Sequence, residues 1–139
     1  MSRLPSTTRS AITLLASALV ATGSLSPWLA SNSWLVALPG LQTGLDTWGA
    51  LLLPAVLVVG ALHGFASRVV SETATLVVGV LSLVAVAVYW QNAAVGGYVP
   101  AVGWYLTAVG GLLLVGVGVE RFWSRFGYRL SGTDDPRSV

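Results

Sequence analysis

Charge is almost missing from the middle of this chain. Between residues 73 and 119 there is no Asp, Glu, Lys or Arg, and between 10 and 67 there is only Asp46. Uncharged apolar runs of this length read as membrane spans, at about 20 residues per crossing. Charged residues make up 9% of the 139, against about 25% in a soluble domain. The mean hydropathy of +0.79 agrees. These features exclude a soluble enzyme, a nucleic-acid-binding domain, a coiled coil and a disordered tail. The length allows four crossings with short connections and leaves no room for a soluble domain beside them.

The expected fold is therefore all-α: an integral membrane four-helix bundle forming a single domain over 1–139. Span 1, about 11–29, is the least apolar, with Thr13, Ser17, Thr22, Ser24 and Ser26, and Pro27 ends or kinks it. A secretory signal peptide is the competing reading of this segment. Arg3 and Arg9 precede a short apolar core, and Ala21-Thr22-Gly23 is a tolerable cleavage site. The connection over 31–47 is broken by Asn32, Pro39, Gly40, Gly44 and Asp46 yet carries Trp34 and several aliphatic residues, a composition suited to the membrane interface. Span 2, about 48–66, has Pro54 inside it, where one backbone hydrogen bond is lost and a kink is expected. Span 3 covers about 73–91, with Ser71 or Thr73 as its expected cap. A Gly-rich loop over 92–99 then leads through Pro100 into span 4, about 101–119. Residues 120–130 form a basic amphipathic extension, and 131–139 a polar tail.

Orientation follows from two signals. Arg3, Arg9, Arg68, Arg121, Arg125 and Arg129 all fall on the side shared by both termini and the loop between spans 2 and 3. By the positive-inside bias that side is cytoplasmic, in a multi-pass protein of the cell membrane. Trp28, Trp34, Trp48, Trp90 and Trp104 cluster at the opposite ends of the spans, where aromatic rings sit at headgroup level.

Few residues offer chemistry. The chain has no Cys, so disulfides and thiolate chemistry are out, and no ionisable group lies deep in a span, which argues against ion-coupled transport. Phosphate-binding GxxxxGK[ST] and HExxH motifs are absent. His63 is the single histidine. It is a candidate proton relay, quinone contact or axial haem ligand, and on the plainer reading an interfacial side chain hydrogen-bonded to a carbonyl or water. No cofactor or metal is expected, because no second nitrogen or sulfur ligand accompanies it.

Small residues at four-residue spacing are the more informative pattern. Gly60 and Gly64 form a GxxxG in span 2; Gly103, Thr107 and Gly111 line span 4; Thr13, Ser17 and Ala21 line span 1. Such stripes let helices approach closely, either within the bundle or against another chain. In residues 120–130, ERFWSRFGYRL, Arg121, Arg125 and Arg129 stack beside Phe122, Phe126 and Leu130. This arrangement suits lipid phosphates and the interface, although Gly127 weakens the helix. Arg68 and Glu72 are spaced for an i, i+4 pair.

Ser26-Pro27-Trp28 and residues 98–114, YVPAVGWYLTAVGGLLL, combine a Pro/Gly helix entry, an aromatic pair and a Gly-rich helix. In these features the chain resembles a loose group of small four-span membrane proteins from GC-rich prokaryotes, salt-adapted archaea among them. The resemblance implies the architecture and no activity. The expected role is a non-enzymatic accessory or assembly subunit of a membrane complex. A small oligomeric channel or uncoupled facilitator, with hydroxyls from Thr13, Ser17, Ser82 and Thr107, is the alternative. A His63-dependent haem or quinone subunit ranks third. The expected partners are the lipid bilayer and either another membrane protein or further copies of this chain; nucleic acid is not among them.

Overall fold

The computed structural model describes residues 5–31, 49–96 and 98–131. Four helices pack as a bundle: α1 (Ser6–Leu25), α2 (Gly49–Phe65), α3 (Arg68–Gly96) and α4 (Val102–Ser131). A minimal antiparallel ribbon joins β1 (Leu29–Ser31) to β2 (Tyr98–Pro100), with Ala30 opposite Val99. Helices α1, α3 and α4 are long and apolar enough to cross a membrane, whereas α2 is apolar but has only 17 residues. At 1.5 Å per residue, α2 is about 25 Å long, slightly less than the ~30 Å hydrocarbon layer. Contacts between Arg9 and Glu120, and between His63 and Arg121, bring the start of α1, the α2–α3 turn and the far part of α4 to one polar end.

Several boundaries differ from those expected. Helix α1 stops at Leu25 rather than 29, because Pro27 disfavours helical geometry at Ser26, which is extended at φ −89, ψ 160. The last carbonyls of α1 are satisfied locally. Ser26 N–H reaches Thr22 O at 3.1 Å, and the Trp28 indole N–H donates to Gly23 O at 2.9 Å. Helix α3 begins at Arg68, so Ser71 and Thr73 lie inside it and cap nothing. Their hydroxyls return to Arg68 O and Val69 O. The loop expected over 92–99 is mostly helix, since α3 continues to Gly96. Helix α4 passes through Gly127 without a break and runs to Ser131. Its 30 residues span about 45 Å, so the amphipathic extension is a continuation of the same helix. Pro54 sits inside α2, leaving Ala50 C=O without its usual partner four residues on.

Helix α4 is the centre of the bundle and presents two seams. Toward α1, a Cβ on Gly110 would lie 2.7 Å from Val20 Cγ2 and 2.8 Å from Ala16 O. A Cβ on Gly103 would lie 2.7 Å from Gly23 O. Only hydrogen fits at these places, so the backbones meet and pack by dispersion. Toward α3, Gly79 faces Leu114 and Val115, Gly111 faces Ser82 and Leu83, and Gly118 faces Leu76. Ala16, Val20 and Leu114 are fully buried between these helices. Cleavage as a signal peptide would strip α1 from the first seam.

Candidate functional site

Two regions contain the residues singled out by sequence, one at each end of the bundle, with the small-residue faces between them. At the end opposite the polar one, Trp28 is completely buried and not a lipid-facing anchor. After Pro27 the chain folds back. Ala101 N–H donates to Trp28 O and Gly103 N–H to Pro27 O, each at 2.9 Å. The Trp28 ring then meets Tyr89 edge-on, with centroids 5.1 Å apart. Trp104 is half-buried and ties α4 to α3 through its indole N–H on Val86 O at 3.0 Å. Trp90 stacks obliquely on Trp104 at 5.6 Å and stays largely exposed. Trp34, Trp48 and the connection over 32–48 lie outside the described residues.

The small-residue stripes divide. Gly103 and Thr107 sit on the α1 seam, whereas Gly111 has turned to α3. On α1, Thr13 and Ser17 are buried and Ala21 half-buried, but the backbone-to-backbone approach runs through Ala16, Val20 and Gly23. Sequence reasoning missed Gly23, Gly79, Gly110 and Gly118. Their signal was present as small residues at mixed three- and four-residue spacing, which a strict four-residue rule passes over. Gly60 and Gly64 differ from these, because a Cβ at either would meet nothing within 4 Å.

Of the hydroxyls proposed for a pore, Thr13, Ser82 and Thr107 donate to the carbonyl four residues back, at 2.8–2.9 Å. Ser17 Oγ is buried without a hydrogen-bond partner.

The polar end is built from all four helices. His63, in the last turn of α2, lies 3.1 Å from Val59 O through Nδ1. A carbonyl only accepts, so Nδ1 carries the proton and donates. In the neutral ring Nε2 is then the acceptor, and Arg121 Nη1 approaches it at 3.5 Å. Glu72 does not pair with Arg68. It binds Arg125 of α4 at 2.9 Å, with the carboxylate mostly buried. Glu120 lies 3.8 Å from Arg9, a long contact. Arg121 and Arg125 thus reach His63 of α2 and Glu72 of α3, Arg125 staying partly exposed, while Phe122, Trp123 and Phe126 are exposed. Arg129 belongs to α4. Between these helices lies an open cavity of about 220 Å³, lined by Ser6, Arg9, Ser10, His63, Arg68, Ser71, Glu72 and Arg121. No group of three His, Asp or Glu able to hold a metal occurs among the described residues.

Comparison with known proteins finds no matching family model, no matching curated protein and no matching solved structure. The site geometry is therefore the basis for a functional reading.

Proposed function

We propose that this multi-pass membrane bundle is a non-enzymatic accessory or assembly subunit, with both termini cytoplasmic, that receives a partner's transmembrane helix on the outer face of α2. The observation behind this reading is the open GxxxG. Glycines that close the internal seams, such as Gly79, Gly103 and Gly110, leave no space for a Cβ, whereas a Cβ at Gly60 or Gly64 would meet nothing among the described residues. Leu57, Val58 and Phe65 flank them and are exposed, Phe65 at 95%. A flat glycine patch among large apolar residues offers an incoming helix close backbone approach, and the gain there is in packing and not in hydrophobic burial, which lipid already supplies.

Native mass spectrometry of the chain extracted gently from its own membrane tests this. The expected result is a defined heteromer that the double variant Gly60→Leu, Gly64→Leu dissolves while the chain stays folded, since leucine there clashes with nothing inside the bundle. A heteromer untouched by the double variant, a homo-oligomer or a bare monomer would each overturn the proposal.

A further inference from the structure

We infer that the cavity at the polar end is a binding site for a phosphate-ester anion. Three arginines and one glutamate line it. The glutamate is already engaged by Arg125. No carboxylate lies within 4.0 Å of Arg68 or Arg121 among the described residues, and the side-chain partner of the Arg121 guanidinium there is His63 Nε2 at 3.5 Å. Among the described side chains of this end, Arg9, Arg68, Arg121 and Arg125, drawn from three helices, outnumber Glu72 and Glu120.

The backbone adds N–H donors. The first turns of α1 and α3 both reach this cavity through Ser6, Arg9, Arg68 and Ser71. Each helix N-terminus carries a partial positive charge and unpaired N–H groups, for which an anion is the natural complement. A protein commonly supplies that complement itself, with an acidic residue in the first turn or a capping side chain. Neither helix has an acidic residue in its first turn, and α1 has no side-chain cap. The C-termini of α2 and α4 point toward the same end, α4 ending well beyond Arg121, so the helix dipoles largely offset and the net field is set by the arginines.

Ligand chemistry follows from donor type and room. Guanidinium groups suit the oxygens of a phosphate, which accept paired N–H bonds. Ser6 and Ser10, both exposed, add hydroxyl donors at the rim, whereas the Ser71 hydroxyl is committed to Arg68 O. The cavity volume, about 220 Å³, exceeds by more than tenfold the ~15 Å³ that one water needs, so a substituted phosphate has space. Phe65, Phe122, Trp123 and Phe126 are exposed at this end, Trp123 at 76%. They mark the depth of lipid headgroups, where basic pockets between helices take anionic phospholipids. A phosphodiester headgroup and a soluble phosphate ester share the recognition chemistry; the experiment separates them.

The test measures the melting temperature of the full chain in nonionic detergent micelles while one additive is titrated at constant ionic strength. The additives are phosphatidylglycerol, phosphatidylcholine and inorganic phosphate. Phosphatidylglycerol is expected to raise the melting temperature saturably and phosphatidylcholine to leave it unchanged. Arg68→Gln and Arg121→Gln should each raise the half-saturating concentration about tenfold, equivalent to about 1.4 kcal/mol. Arg137→Gln, which removes the same charge from the C-terminal segment, should change it by less than about twofold. A response to phosphatidylglycerol alone makes the ligand a lipid headgroup. An equal, arginine-dependent response to inorganic phosphate makes it a soluble phosphate ester. The inference is overturned if nothing saturates, if both pocket variants respond like wild type, or if Arg137→Gln weakens the response as much as they do. Arg68 is exposed, so Arg68→Gln preserves the fold and carries the test alone should Arg121→Gln misfold.

Discussion

Replacing Gly103 by alanine puts the first seam to a direct trial. The new Cβ would lie 2.7 Å from both Gly23 O and Pro27 O and 2.8 Å from Ser26 O, about 0.7 Å inside ordinary van der Waals contact. All three atoms are backbone oxygens, so no side chain can rotate away. The end of α1 and the start of α4 must separate, which also stretches the 2.9 Å bond from Gly103 N–H to Pro27 O. Overpacking of this kind costs about 1–3 kcal/mol, and weakening the hydrogen bond adds about 0.5–1.5 kcal/mol. Alanine recovers about 1 kcal/mol of helix propensity over glycine. The expected net loss is therefore about 1–3 kcal/mol. Gly64→Ala collects the propensity without the clash and should equal or exceed wild type. Thermal unfolding in detergent micelles, followed by near-ultraviolet circular dichroism of the buried Trp28–Tyr89 pair, measures both variants. If Gly103→Ala melts with wild type, or Gly64→Ala falls as far, the seam is not where the reasoning puts it.

Other expectations are briefer. Trp28→Phe removes the indole donor from Gly23 O, which keeps its bond from Ser26 N–H at 3.2 Å, a loss of about 0.5–1.5 kcal/mol in the same melt, and Trp28→Ala should cost more through the cavity it opens. Ser17→Ala removes a buried hydroxyl that has no partner, so it should be neutral or stabilising; a loss above about 1 kcal/mol would mean the hydroxyl is bonded after all. The chain lacks cysteine, which permits topology mapping with Ser67→Cys and Val99→Cys, both exposed. An impermeant maleimide added outside intact cells should label the second and not the first, and the reverse pattern would invert the proposed orientation. Peptide mapping of the membrane-extracted protein should recover the α1 segment Ser6–Leu25; a chain that starts just past Ala21 would show that α1 is removed.

Much of the fold was legible because a bilayer leaves few options. The uncharged apolar runs favour helices, and the helix count follows from the number of those runs. What was not legible depended on competition at single residues. Pro27 shortened α1 and sent Trp28 inward, although a tryptophan at the end of a span reads as an interfacial anchor. Nothing local to Ser26-Pro27-Trp28 reveals that Tyr89 and Ala101 wait for it from other helices. Similarly, 92–96 reads as a loop from Asn92 and Gly96, yet it extends α3. Propensity is a weak prior at a helix end that tertiary contacts continue.

The polar end shows the same limit for charge. Within one sequence, Arg68 and Glu72 are the natural pair, four residues apart on one helix. Arg68, however, opens α3 and is exposed, whereas the Glu72 carboxylate is turned toward α4 and mostly buried. There Arg125 reaches it at 2.9 Å, and a carboxylate partly withdrawn from water gains more from a close counter-charge than one that water screens. Once Glu72 chooses Arg125, the charge of Arg68 is released to the cavity, and the character of that cavity changes with it. Had the intrahelical pair formed, Arg68 would have been neutralised at the mouth and Arg125 freed to the headgroups. The site is therefore a consequence of which arginine wins one carboxylate, and that contest is decided by the packing of α3 on α4.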